Sequence, residues 1–273
     1  MREKCIATEY GSVYYWLSDT WNEEKETIFF FPGLTADHTM FESQVDYFGA
    51  KYNLIVWDAP CHGKSRPYEK FDLKDSTEVI IKIMEENKVE NIICVGQSFG
   101  GYHIQALIAR YPEKVKEFVG IGTSPYGEKY YSKSDIFWLK QVEWMGMCYP
   151  INPLKRAVAK GATRTEIGYK NMMELIAPYK KREYYHLMKI AYNALLQENK
   201  DLNISCPVLI THGEYDKTGK VRYYCKIWHE QTNYPLQIIK GAGHNANVDK
   251  PEEMNFIINE FLEEKVLMLY NKN

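Results

Sequence analysis

Apolar residues recur along this chain in two textures. The runs "TIFFFPG", "NLIVWD", "NIICVG", "EFVGIGT", "PVLITHG" and "PLQIIKG" are short, rich in β-branched and aromatic residues, and bounded by glycine, proline or charge, which predicts six strands. Several are almost continuously apolar rather than alternating, the pattern of strands in a parallel sheet covered by helices on both faces. Between them, "STEVIIKIMEENK" places Val79, Ile80, Ile83 and Met84 at helical spacing, and "GYHIQALIARYPEKV" aligns Ile104, Leu107 and Ile108. The expected architecture is α/β, a mostly parallel, doubly wound sheet flanked by helices.

This alternation stops between Tyr126 and Asn199, where strand patterns vanish. The segments "DIFWLKQVEWMGMCY", "LKRAVAKGA", "RTEIGYKNMMELIAPY" and "REYYHLMKIAYNALLQ" predict helices, with Pro150, Pro153 and Pro178 as breaks. Strands resume at "CPVLITHG". The two ends of the chain, residues 1–125 and 200–273, are therefore expected to form one α/β core, with residues 126–199 inserted as a helical lid.

A chain of 273 residues with 45% hydrophobic content can bury a large core. Its formal net charge of -2 and the absence of any long Lys/Arg block disfavour nucleic acid as a partner. No apolar run reaches the roughly 18 to 20 residues of a membrane span, and the N-terminus lacks the pattern of a secretory signal, so a soluble, cytoplasmic protein is expected. Six scattered cysteines (Cys5, Cys61, Cys94, Cys148, Cys206, Cys225) without CxxC pairs fit free thiols, with Cys94 and Cys206 in the core. Oligomeric state is not readable from these patterns.

In a parallel α/β sheet, functional groups gather where loops leave the carboxyl ends of strands. After "TIFFF" comes Pro32-Gly33-Leu34-Thr35, and after "NLIVW" comes Asp58 with "APCHGKS" behind it. After "NIICV" comes Gly96-Gln97-Ser98-Phe99-Gly100; after "PVLIT", His212-Gly213-Glu214-Tyr215-Asp216; after "PLQII", a loop reaching His244. Serine, acid and histidine thus arrive in that order, each just beyond a strand, a more specific signal than G-x-S-x-G alone. A serine hydroxyl is a weak nucleophile at neutral pH and needs an imidazole to take its proton, while a carboxylate behind the imidazole fixes its tautomer.

These motifs resemble those of the α/β-hydrolase superfamily, in its lid-bearing esterase and lipase type, over nearly the whole chain. The resemblance implies Ser98 as nucleophile on a strand-to-helix elbow, Asp216 as acid and His244 as base. It also implies an oxyanion hole made by the backbone N–H groups of Phe99 and Leu34. The activity implied is cleavage of a carboxylic ester or similar acyl bond of a small, partly apolar substrate. A lactone, thioester, peptide or C–C bond cut by the same triad is the alternative, as is a non-catalytic small-molecule receptor. Two positions depart from the family pattern: Pro32 stands where many relatives have histidine, and Cys61 where glycine is usual.

The rival residues receive blander readings. Glu214 is expected to face its loop or cap a turn, and Asp249 to help start the last helix. His62, His103 and His212 read as hydrogen-bonded structural histidines, with His103 the one to watch as a substrate contact. The "GKS" at Gly63–Ser65 fails as a phosphate loop, because the required glycine five residues earlier is Asp58. No His/Cys/carboxylate set has metal-ligand spacing, so neither cofactor nor metal is expected. In the insertion, Phe137, Trp138, Trp144, Met145, Met147, Met172, Met173, Tyr184 and Tyr185 are expected to form the lid core, some lining an apolar pocket above Ser98. Lys155, Arg156, Lys180, Lys181 and Arg182 are expected on a solvated face.

Overall fold

The computed structural model describes residues 1–147, 149–197 and 200–270. The first half of the chain forms β1 (Arg2–Thr8), β2 (Gly11–Leu17), β3 (Thr27–Phe31), α1 (Glu42–Phe48), β4 (Asn53–Trp57), α2 (Leu73–Glu86), β5 (Ile92–Gln97), α3 (Phe99–Arg110) and β6 (Val115–Ile121). Four helices come next: α4 (Lys133–Met147), α5 (Ile151–Ala162), α6 (Glu166–Ile176) and α7 (Lys181–Gln197). The chain closes with β7 (Val208–Gly213), α8 (Val221–Thr232), β8 (Leu236–Ile239), the short α9 (Ala246–Asp249) and α10 (Pro251–Tyr270).

All eight strands form one sheet in the order β1-β2-β4-β3-β5-β6-β7-β8. From β4 to β8 every pairing is parallel, while β1 and β2 run antiparallel to each other and β2 antiparallel to β4. The sheet is flanked by helices, α1 packing with α10 and α2 with α3. The six predicted strands are all present. The N-terminal hairpin is an addition: β2 has the apolar run "VYYWL", four of whose residues are buried, and is missing from the predicted set, whereas the weak pattern of β1 has a simple cause. β1 is an edge strand on which only Ile6 is buried, so its sequence "REKCIAT" carries little apolar pattern. At the centre the reverse holds: Phe29, Phe30 and Phe31 of β3 are wholly buried on both faces of the sheet, each contributing about 2–3 kcal/mol of hydrophobic stabilisation.

The topology locates the site. From β3 the chain moves to one side to make β4, then returns across to make β5 on the other side of β3. Loops after β3 and β5 therefore diverge, and a crevice opens between them at the carboxyl edge of the sheet. The four helices α4–α7 interrupt the sheet pattern between β6 and β7, as the sequence predicts. They associate as two pairs, α4 with α7 and α5 with α6. Pro153 is not a break: it occupies the first turn of α5, where its missing N–H has no helical partner to lose.

Within the insertion, Met172, Tyr184 and Tyr185 are buried and Met173 is half-buried, whereas Phe137 and Trp138 are exposed against expectation. The side chains of Trp144, Met145 and Met147, and Cys148 itself, lie outside the described residues. Lys155 also departs from expectation. Its stem is buried and its ammonium donates to the carbonyls of Ala177 and Tyr179, at 2.8 and 2.7 Å, closing the end of α6. Arg156, Lys180, Lys181 and Arg182 are exposed. The described cysteines are free thiols: Cys94, Cys61 and Cys225 buried, Cys206 half-buried and Cys5 exposed.

Candidate active site

Ser98 sits between the end of β5 and the start of α3 with φ 50° and ψ -113°, a conformation that L-residues rarely adopt. Two close approaches make the surrounding glycines obligatory. A Cβ on Gly96 would come within 2.8 Å of the backbone at Gly100 and Gly101, so strand and helix could not meet. A Cβ on Gly100 would fall 1.9 Å from the Phe31 carbonyl, pushing α3 off β3. The elbow is pinned by the Ser98 amide, which donates to the Ile121 carbonyl at 2.8 Å. The Ser98 side chain makes no capping hydrogen bond, which leaves its hydroxyl free to face the cavity that it lines.

The loop after β3 turns tightly, the Ala36 amide donating to the Gly33 carbonyl at 3.1 Å. Inside the turn Thr35 has φ 66°, a left-handed conformation that a β-branched residue adopts only under constraint. The Leu34 and Phe99 amides make no hydrogen bond among the described residues, and both residues line the same cavity as Ser98. With Pro32 in place of histidine, the side chain packed on this loop is Gln97. Its Oε1 would lie 2.1 Å from a Cβ on Gly33, and its Nε2 donates to the His244 carbonyl and to Asn245 Oδ1, both at 3.2 Å. Cys61 adopts φ 68°, a left-handed conformation that favours glycine; burial pushes its thiol up to about 11.

His244 Nδ1 lies 2.7 Å from Asp216 Oδ2, and both side chains are buried. Burial by itself would raise the Asp216 pKa, but the charge and hydrogen bond of His244, with a bond from the Thr218 amide, bring it below the usual carboxylate value. An ionised carboxylate accepts only, so Nδ1 carries a proton, and in the neutral ring it is Nε2 that presents the lone pair. His244 lines the cavity with Ser98, and Asp216 stands behind it. Glu214 instead accepts from the Gly241 amide at 2.9 Å, as expected of a turn residue.

His62, His103 and His212 do not line this cavity. His103 is wholly buried, Nδ1 2.9 Å from Ser76 Oγ, and packs against the rings of Trp57, Phe71 and Phe99, so it is not a substrate contact. His62 is buried with Nδ1 2.9 Å from the Pro60 carbonyl, and His212 bonds the Gly213 carbonyl at the same distance. Desolvation pushes His62 down to about 4 and His103 down to about 3, so both are neutral structural rings.

Asp249 does not cap the last helix. Its carboxylate accepts from the Gly243 amide (2.8 Å), the Arg164 and Thr165 amides (2.9 and 3.1 Å) and the Thr165 hydroxyl (2.8 Å). One buried acid thus fastens the α5–α6 turn to the loop that carries His244. The Asn245 amide adds a bond to the Ala162 carbonyl at 2.9 Å.

Between the sheet edge and the inserted helices lies a cavity of about 430 Å³. Met172 and Tyr184 line it, as expected, but Tyr102, Tyr131, Tyr224 and Lys217 do too, and sequence reasoning missed them. Lys217 comes directly after Asp216, so its position was inferable from the acid; the tyrosines carry no local signal. Among the described residues one group has metal-ligand chemistry: Asp37, His38 and Asp58 bring one ligand atom each within 4.8 Å of one another. Asp58, wholly buried, accepts there from the His38 and Lys64 amides (2.8 and 2.7 Å), and His38 Nδ1 lies 2.9 Å from it. The carboxylate is thereby committed to joining the loops after β3 and β4. No helix among the described residues is long and apolar enough to cross a membrane.

Residues 26–251 match the family described as the alpha/beta hydrolase fold. A 2-(acetamidomethylene)succinate hydrolase of Mesorhizobium japonicum is 24% identical over 247 residues, 86% of this chain and 87% of that protein. A 3-oxoadipate enol-lactonase of Acinetobacter baylyi is 25% identical over 88% of this chain and 90% of its own. Among solved structures, a thermophilic esterase from Thermogutta terrifontis superposes with a TM-score of 0.77 at 16% identity, over 97% of this chain and 99% of the other.

Proposed function

The chain belongs to the alpha/beta hydrolase fold family, and from that premise we propose that it is a serine hydrolase that cleaves a carboxylic ester of a small, partly apolar substrate. The observation that supports this reading is the buried His244–Asp216 pair at 2.7 Å, with His244 lining the same cavity as Ser98. Nε2 of His244 takes the Ser98 proton as Oγ attacks the carbonyl carbon. The oxyanion of the tetrahedral intermediate accepts from the Leu34 and Phe99 amides, the latter at the positive end of α3. The proton then passes from Nε2 to the leaving alcohol, and an acyl-enzyme remains on Ser98. Water, deprotonated by His244, releases the acid. In this reading residues 126–199 are a lid over a core made of 1–125 and 200–273, shaping the pocket and excluding water.

The same steps would open a lactone, and the similarity to an enol-lactonase supports including lactones in a substrate screen. Ser98→Ala is expected to lower p-nitrophenyl butyrate hydrolysis on the order of a thousandfold or more with an unchanged circular-dichroism spectrum. Wild-type activity in that variant would overturn the assignment. Labelling by a fluorophosphonate, which needs an activated serine, separates an enzyme from a receptor that only binds.

A further inference from the structure

The cavity has two unlike flanks. One is built by α5 and α6 with the loop after β3, and presents Leu34, Met40, Val158 and Met172. The other is built by α7 and the segment after β7, and presents Tyr184, Tyr192, Lys217 and Lys220 beside Met188 and Ala191. On that second flank some polar groups are already matched. Lys220 pairs with Asp135 at 2.5 Å, and the Tyr131 hydroxyl donates to the Pro125 carbonyl at 2.7 Å.

Beyond the Ser98 hydroxyl and the Leu34 and Phe99 amides, three further donors on the cavity wall stand without a protein partner among the described residues. The Tyr184 and Tyr192 hydroxyls make no hydrogen bond there, and Lys217, an exposed lysine at the rim of the cavity, has neither a hydrogen bond nor an ion pair. Tyr184 is the most firmly placed of them, a residue only 4% exposed. Its ring is packed while its hydroxyl opens onto the cavity, where it can donate to whatever enters. Two phenol donors and one unpaired ammonium suit a monoanionic acceptor; a phosphate dianion would need a second free cation.

We propose that the substrate is bipolar, an ester carrying a carboxylate that Tyr184, Tyr192 and Lys217 hold on the α7 side of the cavity while its apolar end lies between α5, α6 and Leu34. This rests on the serine hydrolase reading for its chemistry, but the carboxylate subsite stands on its own donors.

Ethyl hydrogen adipate and ethyl hexanoate, which share a six-carbon acyl chain and differ in the terminal carboxylate, test it. Wild-type kcat/KM is expected to favour the adipate about tenfold or more, the worth of a charge-assisted hydrogen bond. Lys217→Met, and separately Tyr184→Phe with Tyr192→Phe, should bring that ratio towards one. Lys240→Met, which removes an exposed lysine outside the cavity, should leave the ratio as it is. A wild-type preference for ethyl hexanoate, or a preference for adipate that survives both sets of changes, overturns the proposal. Calorimetry of ethyl hydrogen adipate on Ser98→Ala reads the subsite without turnover. There, adding Lys217→Met should weaken binding about tenfold even if Ser98 proves not to be the nucleophile, and equal affinities would sink the subsite alone.

Discussion

Asp216 is a residue on which two opposing effects meet. Burial disfavours its charge, and the His244 ring with the Thr218 amide restores it. Asp216→Asn keeps the shape and loses that charge, so the imidazolium formed during attack is no longer stabilised and Nδ1 need not hold the proton. We expect kcat to fall on the order of 10³- to 10⁴-fold with little change in KM, measured on p-nitrophenyl butyrate. Gly100 is constrained by packing rather than charge. Gly100→Ala sets a methyl group 1.9 Å from the Phe31 carbonyl, and α3 must shift to relieve it. Both stability and turnover should drop, thermal unfolding by several degrees and kcat more than about tenfold, since the Phe99 amide moves with the helix. A Gly100→Ala variant that melts at the temperature of the wild type would contradict the close approach.

At the scale of elements, the two inserted helix pairs are fastened unequally. The α5–α6 turn is held through the Asp249 carboxylate, which accepts four hydrogen bonds and belongs to a residue with 5% exposure. The α4 helix is tied to the loop after β7 by the Lys220–Asp135 pair, whose lysine is 60% exposed. Water screens the second and barely reaches the first. Asp249→Ala leaves four donors short of their acceptor and is expected to cost about 2–4 kcal/mol, read by urea unfolding. It should also slow turnover, because the Gly243 amide beside His244 loses its anchor. Lys220→Ala should change stability by less than about 1 kcal/mol. Equal costs for the two would remove the distinction.

For the whole molecule, the buried histidines give stability a pH dependence whose sign can be worked out. In the folded chain His62 and His103 have pKa values of about 4 and about 3, against 6.5 for a free ring. The unfolded chain therefore binds more protons than the folded one below pH 6.5, and stability rises with pH across that window. It is fully present above about 6.5 and is lost as pH falls towards 4 and then 3, each ring contributing at most about 1.4 kcal/mol per pH unit. Urea unfolding between pH 7 and 4 should show this slope, and His103→Gln should flatten it.

Six of the eight strands, the helical interruption and the order of serine, acid and histidine were read from the sequence, because each depends on residues near one another in the chain: apolar runs, turn glycines and the residues just beyond each strand. The edge strand β1 was not, since an edge exposes its polar side chains and so carries no apolar pattern. The tertiary structure alone decided that His103 faces Ser76 rather than substrate, that Asp249 binds the α5–α6 turn, and that Lys155 is buried. It alone gathered Asp37, His38 and Asp58, and set Tyr184 and Lys217 on one cavity. Each of these is a contact between side chains brought together by the fold, and local patterning carries no record of which distant group a polar atom will meet when the chain closes on itself.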